Sequence, residues 1–205
     1  GMIAAVPGSP PGMSVFVDDM IGALDLERSS FALAYTFGTI SAGLCAPLAG
    51  RLIDRFGARV MGCVSYFGLG VILIFTGFIA HIYAILPTKE ETAIPFAFIL
   101  VFIAFAGMRL MGVSFSMTTC RSMVFRWFEG KRGWAAAING TMLSLSFSSA
   151  PLLLNGIVVS LGWQQTWISL GCLFMFGMTA MAYIFFRDSP EACGVEVEQS
   201  SASKS

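Results

Sequence analysis

Apolar residues in this chain fall into long runs that short polar segments separate. An α-helix needs about 20 mostly apolar residues to cross roughly 30 Å of hydrocarbon. Five runs come close to that length or exceed it: residues 31–49, 60–86, 94–124, 134–161 and 167–186. Runs of this length favour spanning helices over strands, so an all-α membrane protein is predicted.

A sixth apolar stretch, residues 2–24, contains Pro7, Pro10 and Pro11. Each proline removes a backbone donor that a continuous helix would use. Two interpretations stay open: a kinked, truncated first helix beside a cavity, or a loop that precedes the membrane. With this stretch included, the sequence predicts a six-transmembrane-helix bundle over residues 1–186. Residues 187–205 are too polar to pack and are predicted to form a cytoplasmic linker.

Composition agrees with the lipid bilayer as the main partner. The 205 residues are 56% hydrophobic and 12% charged, and the mean hydropathy is +0.78. These values exclude an ordinary soluble domain. The net charge is zero, so no nucleic-acid partner is expected.

Basic residues are distributed unequally between the two sets of loops and helix ends. One set contains only Arg28 and Lys89. The other set is much richer: Arg51, Arg55, Arg59, Arg126, Lys131, Arg132 and Arg187. The positive-inside rule places the richer set in the cytoplasm, and both chain ends with it. We therefore expect an integral, multi-pass membrane protein.

Catalytic and metal-binding signatures are missing from the sequence. The five cysteines form no C-x-x-C pair, and His81 is the single histidine. Neither a G-x-S-x-G, an H-E-x-x-H nor a phosphate-binding loop occurs. The sequence predicts no enzyme, no catalytic residue, no metal and no cofactor.

The most informative segment is G-R-L-I-D-R-F-G-A-R at residues 50–59, which lies between two apolar runs. It resembles the signature loop between the second and third helices of major facilitator superfamily transporters. Three further phrases are similar to the monocarboxylate and oxalate/formate porter branches of that superfamily: P-G-M-S-V-F at 11–16, F-R-W-F-E-G-K-R-G-W-A at 125–135 and L-G-W-Q at 161–164.

The resemblance implies a twelve-helix transporter made of two six-helix bundles. This chain would be the amino-terminal half, with the carboxy-terminal six-helix half as its missing partner. The implied function is secondary active transport of a small solute, such as a monocarboxylate or another organic anion, by alternating access. The resemblance also implies a conformational latch in which Asp54 pairs with Arg121 or with a helix end of the other half. Its predicted members are Gly50, Arg51, Asp54, Arg55, Gly57, Arg59 and Arg121.

Arg109 is the sharpest single candidate, because it lies well inside the apolar run 94–124, where a charge is costly to bury. One interpretation is that Arg109 attracts a carboxylate substrate. The alternative is a structural pair with an acidic residue or with backbone carbonyls. Helical spacing predicts that Ser116 lies on the same face as Arg109.

Two further groups of polar residues are candidates. Thr141, Ser144, Ser148 and Asn155 follow helical spacing and are predicted either to line the substrate pathway or to mediate helix packing. Asp18 and Asp19 are a possible proton site, although simple solvation at the membrane surface is the alternative. A competing hypothesis for the whole chain is a self-contained six-helix protein that forms a homo-oligomeric pore or a non-transporting receptor.

Overall fold

The computed structural model describes residues 2–85, 90–127 and 132–186, and every regular element in these ranges is helical. The predicted linker 187–205 lies outside the described residues. After a 3-10 turn at Met2–Ala5, the helices are α1 Pro10–Met13, α2 Val17–Leu24, α3 Arg28–Ile85, α4 Glu90–Met108, α5 Ser116–Trp127, α6 Arg132–Leu161, α7 Trp163–Cys172 and α8 Thr179–Phe185. The all-α prediction is confirmed for these ranges.

Two π-helical segments join neighbouring helices into longer ones. Arg109–Phe115 joins α4 to α5, and Leu173–Met178 joins α7 to α8. We refer to the joined elements as the α4–α5 helix (residues 90–127) and the α7–α8 helix (residues 163–185).

Four helices in the described ranges are long and apolar enough to cross a membrane: Arg28–Ile85, Ile94–Val124, Ala136–Leu161 and Trp163–Phe185. The first breaks at Gly57 into two arms, residues 28–56 and 58–85. Each arm has about 28 residues and is about 42 Å long, so each matches one predicted run. Residues 2–24 form only short helices: Pro7 lies in the break before α1, and Pro10 and Pro11 begin α1. The count of six spans therefore stays a prediction.

Gly57 forms the turn between the two arms of α3. Its φ of 83° and ψ of 159° lie in a region that is almost exclusive to glycine. Gly162 makes the turn between α6 and α7 with nearly the same angles, φ 81° and ψ 158°. Each of these two turns thus depends on a residue without a Cβ atom.

Replacing Gly57 with alanine is expected to lower the free energy of unfolding by about 1–3 kcal/mol, because a Cβ atom strains this backbone conformation. Thermal unfolding of the purified full-length protein in detergent measures the effect. Gly22→Ala is the matched control, since a Cβ at Gly22 meets no atom within 4 Å. Equal melting temperatures for the two variants would contradict the prediction.

The second arm of α3 packs closely against the α7–α8 helix. Three of its glycines make this contact, and their partners come in reverse order along the other helix: Gly62 with Ala182, Gly70 with Gly171, and Gly77 with Ile168. The two helices are therefore antiparallel. Arg59 and Tyr183 consequently lie at the same end of the bundle.

The amino-terminal segment is bound to this core by one face of α2 and the residue before it. Phe16, Met20 and Leu24 are fully buried, at spacings of four residues. The ring centroid of Phe16 lies 4.2 Å from that of the buried Trp167. Residues 2–24 thus belong to the packed bundle although they form no continuous helix.

Candidate functional site

Arg109 lies near the middle of the α4–α5 helix, about 27 Å from either end at 1.5 Å per residue. It is half-buried and begins the π-helical segment. π-helical turns are rare and occur frequently at functional sites. A guanidinium at this depth requires partners, because charge in a hydrocarbon environment is costly.

The partner of Arg109 is Tyr35, on the first arm of α3. Nη2 of Arg109 donates a hydrogen bond to the Tyr35 hydroxyl. The guanidinium carbon also lies 4.9 Å from the centroid of the Tyr35 ring. Among the described residues Nε of Arg109 is buried without a hydrogen-bond partner, and the ion pair found there joins Arg28 to Asp18. A neutral phenol, and not a described carboxylate, therefore holds the cation.

Aromatic packing fixes Tyr35 in this position. The ring of Phe105 stands edge-on to the rings of Tyr35 and Phe31, with centroids 5.2 Å apart in both pairs. One turn further along, Gly38 allows the first arm to approach α4, because a Cβ there would lie 3.0 Å from the backbone nitrogen of Ala106. This close approach lets Tyr35 reach Arg109.

Tyr35 also lines a cavity of about 480 Å³ between α1, α2 and the first arm of α3, which we call the α1–α3 pocket. Its polar lining residues include Ser14, Thr36, Asp18 and Arg28. The pocket is therefore open beside Tyr35, and Arg109 adjoins it through Tyr35 without being one of its lining residues.

The two acidic candidates of α2 are exposed at the surface of the described bundle. Asp18 forms an ion pair with Arg28, and the two side chains are 81% and 74% exposed, respectively. Asp19 is exposed as well. An exposed pair contributes little stability, so Asp18 and Arg28 separate easily. A proton-carrying role for either aspartate stays a prediction.

Ser116 packs in a different environment from Arg109. It is buried and interacts with Tyr66 of the second arm of α3, whose hydroxyl lies 3.5 Å from Sγ of Cys120. The π-helical segment between Arg109 and Ser116 has i→i+5 bonding, so it rotates the following residues away from α-helical spacing. Arg109 therefore contacts the first arm, while Ser116 contacts the second.

The polar stripe of α6 faces outward from the described helices. Thr141, Ser144, Ser148 and Asn155 are all exposed, and the Thr141 hydroxyl bonds to the Ala137 carbonyl of its own helix at 3.0 Å. A neighbouring face of α6 instead lines an apolar cavity of about 240 Å³ with Val6 and Pro7. The stripe residues share one side, which the described helices leave uncovered.

The residues of the predicted latch surround the turn at Gly57. Arg51, Asp54, Arg55 and Arg121 are exposed, whereas Gly50, Gly57 and Arg59 are half-buried. The described contacts do not include an ion pair between Asp54 and Arg121. Their pairing stays a prediction.

Arg59 makes a contact that the sequence did not indicate. Its Nε donates to the Tyr183 carbonyl at 2.9 Å, and its guanidinium carbon lies 4.3 Å from the centroid of the Tyr183 ring. That carbonyl belongs to the last turn of α8, where carbonyls lack helical partners. Arg59 thus connects the turn at Gly57 to the end of the α7–α8 helix.

Comparison with known proteins shows the family of this chain. Residues 12–200 match the family model described as Major Facilitator Superfamily. The chain is also 27% identical over 168 residues to a protein of Cupriavidus necator named probable sulfoacetate transporter SauU. That alignment covers 82% of this chain and 34% of the relative, so the chain spans about a third of the relative's length. With its membrane-length apolar helices, the chain belongs to the Major Facilitator Superfamily and is an integral, multi-pass membrane protein.

Proposed function

We propose that this chain is the amino-terminal part of a secondary transporter that carries a small organic anion across the membrane by alternating access. Residues 1–186 would supply one six-span bundle, and a carboxy-terminal six-helix half would supply the other. Residues 187–205 would begin the cytoplasmic linker between them. Membership of a transporter superfamily favours this function over an enzyme, a homo-oligomeric pore or a receptor.

The observation that carries the proposal is the pairing of Arg109 with Tyr35. An acidic partner would neutralise the guanidinium and support a structural role. A phenol leaves its positive charge in place, and Nε has no described partner. An anion that reaches Arg109 gains charge-assisted hydrogen bonds in a site of low dielectric constant.

The chemistry of the relative's named substrate supports the same class of ligand. Sulfoacetate carries a carboxylate and a sulfonate on a two-carbon skeleton. Both groups present paired oxygens that match the planar fork of an arginine. We propose a substrate with a carboxylate or sulfonate on a short carbon chain, which includes monocarboxylates.

The remaining candidates are assigned by their positions. The uncovered polar side of α6 would face the pathway between the two halves, with Ser116 deeper in the bundle. The residues around Gly57 and Arg121 would form the latch at the cytoplasmic side, and breakable contacts there suit a protein with two states of similar energy. Asp18 and Asp19 would be available as proton carriers near the opposite end.

Competition for uptake tests the proposed substrate class. Proteoliposomes that contain the full-length protein are expected to accumulate radiolabelled sulfoacetate or lactate, and empty liposomes are the control. Unlabelled acetate and lactate should compete, whereas acetamide and lactamide should not, because the neutral amides lack the charge that Arg109 attracts. Equal competition by an acid and its amide would reject an anion site.

A further inference from the structure

We propose that Tyr35 is the positioning residue of this anion site: from the wall of the α1–α3 pocket it holds the Arg109 guanidinium in the orientation that receives the anion. The proposal rests on the function assigned to Arg109 above. It adds a specific role for a residue that the sequence pattern did not single out.

Two separate contacts define the orientation of the guanidinium. The Tyr35 hydroxyl accepts a hydrogen bond from Nη2, and the ring lies 4.9 Å from the guanidinium carbon. The hydrogen bond fixes one direction within the guanidinium plane, and the ring contact limits the tilt of that plane. A planar, bidentate donor depends on orientation more than a point charge does.

Tyr35 is itself held firmly enough to act in this way. Its ring is braced edge-on by Phe105, with centroids 5.2 Å apart. Gly38 brings the two backbones together one turn away. A side chain fixed by ring packing and by a close helix contact loses little further freedom when it binds a neighbour.

The same side chain reaches the space open to a solute. Tyr35 lines the α1–α3 pocket, whose volume of about 480 Å³ exceeds that of a short-chain anion. An arginine has five N–H donors. The phenol uses one of them and Nε has no described partner, so donors remain for a carboxylate or sulfonate. Because Tyr35 is neutral, it orients the cation without cancelling its charge.

Tyr35→Phe tests the role in the full-length protein, because it keeps the ring and removes only the hydroxyl. The apparent KM for radiolabelled sulfoacetate is expected to rise roughly 3- to 10-fold, because the anion loses the orientation of its donor and not a direct hydrogen bond of its own. Vmax at equal membrane abundance should stay unchanged. The matched control is Tyr83→Phe, which removes the hydroxyl of a half-buried tyrosine on the second arm of α3 and should leave KM unchanged.

The possible results separate this role from the anion site itself. If Arg109→Ala abolishes uptake while Tyr35→Phe keeps the wild-type KM, the positioning role is rejected and the anion site stands. A lower KM in Tyr35→Phe would mean that the phenol competes with the anion for Arg109. A fall in Vmax with an unchanged KM would indicate a structural role. Either result overturns the proposal. If Arg109→Ala transports normally, both proposals fail. Binding can be measured independently of transport. Sulfoacetate should raise the melting temperature of Tyr35→Phe less than that of the wild type, which would confirm that the change in KM reflects weaker binding.

Discussion

Arg109→Ala is expected to reduce anion uptake by the full-length protein roughly a hundredfold or more, while its abundance in the membrane stays unchanged. Losing one partner of a desolvated, hydrogen-bonded charge pair costs several kcal/mol of binding free energy, and each 1.4 kcal/mol is a factor of ten. Folding should tolerate the change, because the packing of Tyr35 against Phe105 and the close helix contact at Gly38 do not involve Arg109. Initial uptake rates of radiolabelled sulfoacetate, normalised to protein in the membrane, measure the effect.

Two variants serve as controls for Arg109→Ala. Arg109→Lys keeps the positive charge but loses the planar fork, so partial activity is expected. Ser160→Ala removes an exposed hydroxyl that bonds to the Ile157 carbonyl of its own helix at 2.9 Å, and uptake should stay at the wild-type rate. Normal uptake by Arg109→Ala at equal abundance would exclude a direct role for this arginine.

The positions of the long helices followed from the sequence because they depend on run length alone. A stretch of about 20 apolar residues predicts a span whatever it packs against. The polar residues between the runs 31–49 and 60–86 marked the reversal, and Gly57 makes it. Arg109 could also be identified as a candidate without a structure. A charge inside the apolar run 94–124 is costly to bury, so its presence indicates a specific role.

The partner of Arg109 could not be found in this way. Tyr35 lies in an apolar run in which tyrosine is unremarkable, and run length does not say which face meets a neighbour. That face is decided by packing, through Phe105 and the close approach at Gly38. The only sequence signal was an amphipathic aromatic residue within a spanning run, which is too common to be specific.

Helical spacing was misleading where the helix is not α-helical. Ser116 was predicted to share a face with Arg109, but the π-helical segment between them changes the register, and Ser116 contacts Tyr66. No residue in Arg109–Phe115 signals i→i+5 bonding by itself. The α6 stripe shows the opposite case: the spacing correctly groups its residues on one side, but spacing cannot say what covers that side.

Gly70→Ala is expected to destabilise the contact between the second arm of α3 and the α7–α8 helix strongly. A Cβ at Gly70 would lie 2.7 Å from the Gly171 carbonyl oxygen and 2.7 Å from the Met175 backbone nitrogen. Neither backbone atom can move unless the second arm of α3 and the α7–α8 helix separate. Separation loses dispersion contacts along the whole seam, so the free energy of unfolding should fall by about 1–3 kcal/mol or more.

Gly43→Ala is the matched control, because it makes the same change in the same helix where a Cβ meets no atom within 4 Å. In thermal unfolding of the full-length protein in detergent, the melting temperature of Gly70→Ala should lie well below that of the wild type, and that of Gly43→Ala close to it. Similar melting temperatures for the two variants would disprove the close crossing.

The contact is reciprocal, since a Cβ at Gly171 would lie 2.8 Å from the Gly70 carbonyl oxygen. The double variant Gly70→Ala with Gly171→Ala should therefore lose less than the sum of the single losses, because one separation of the helices accommodates both methyl groups.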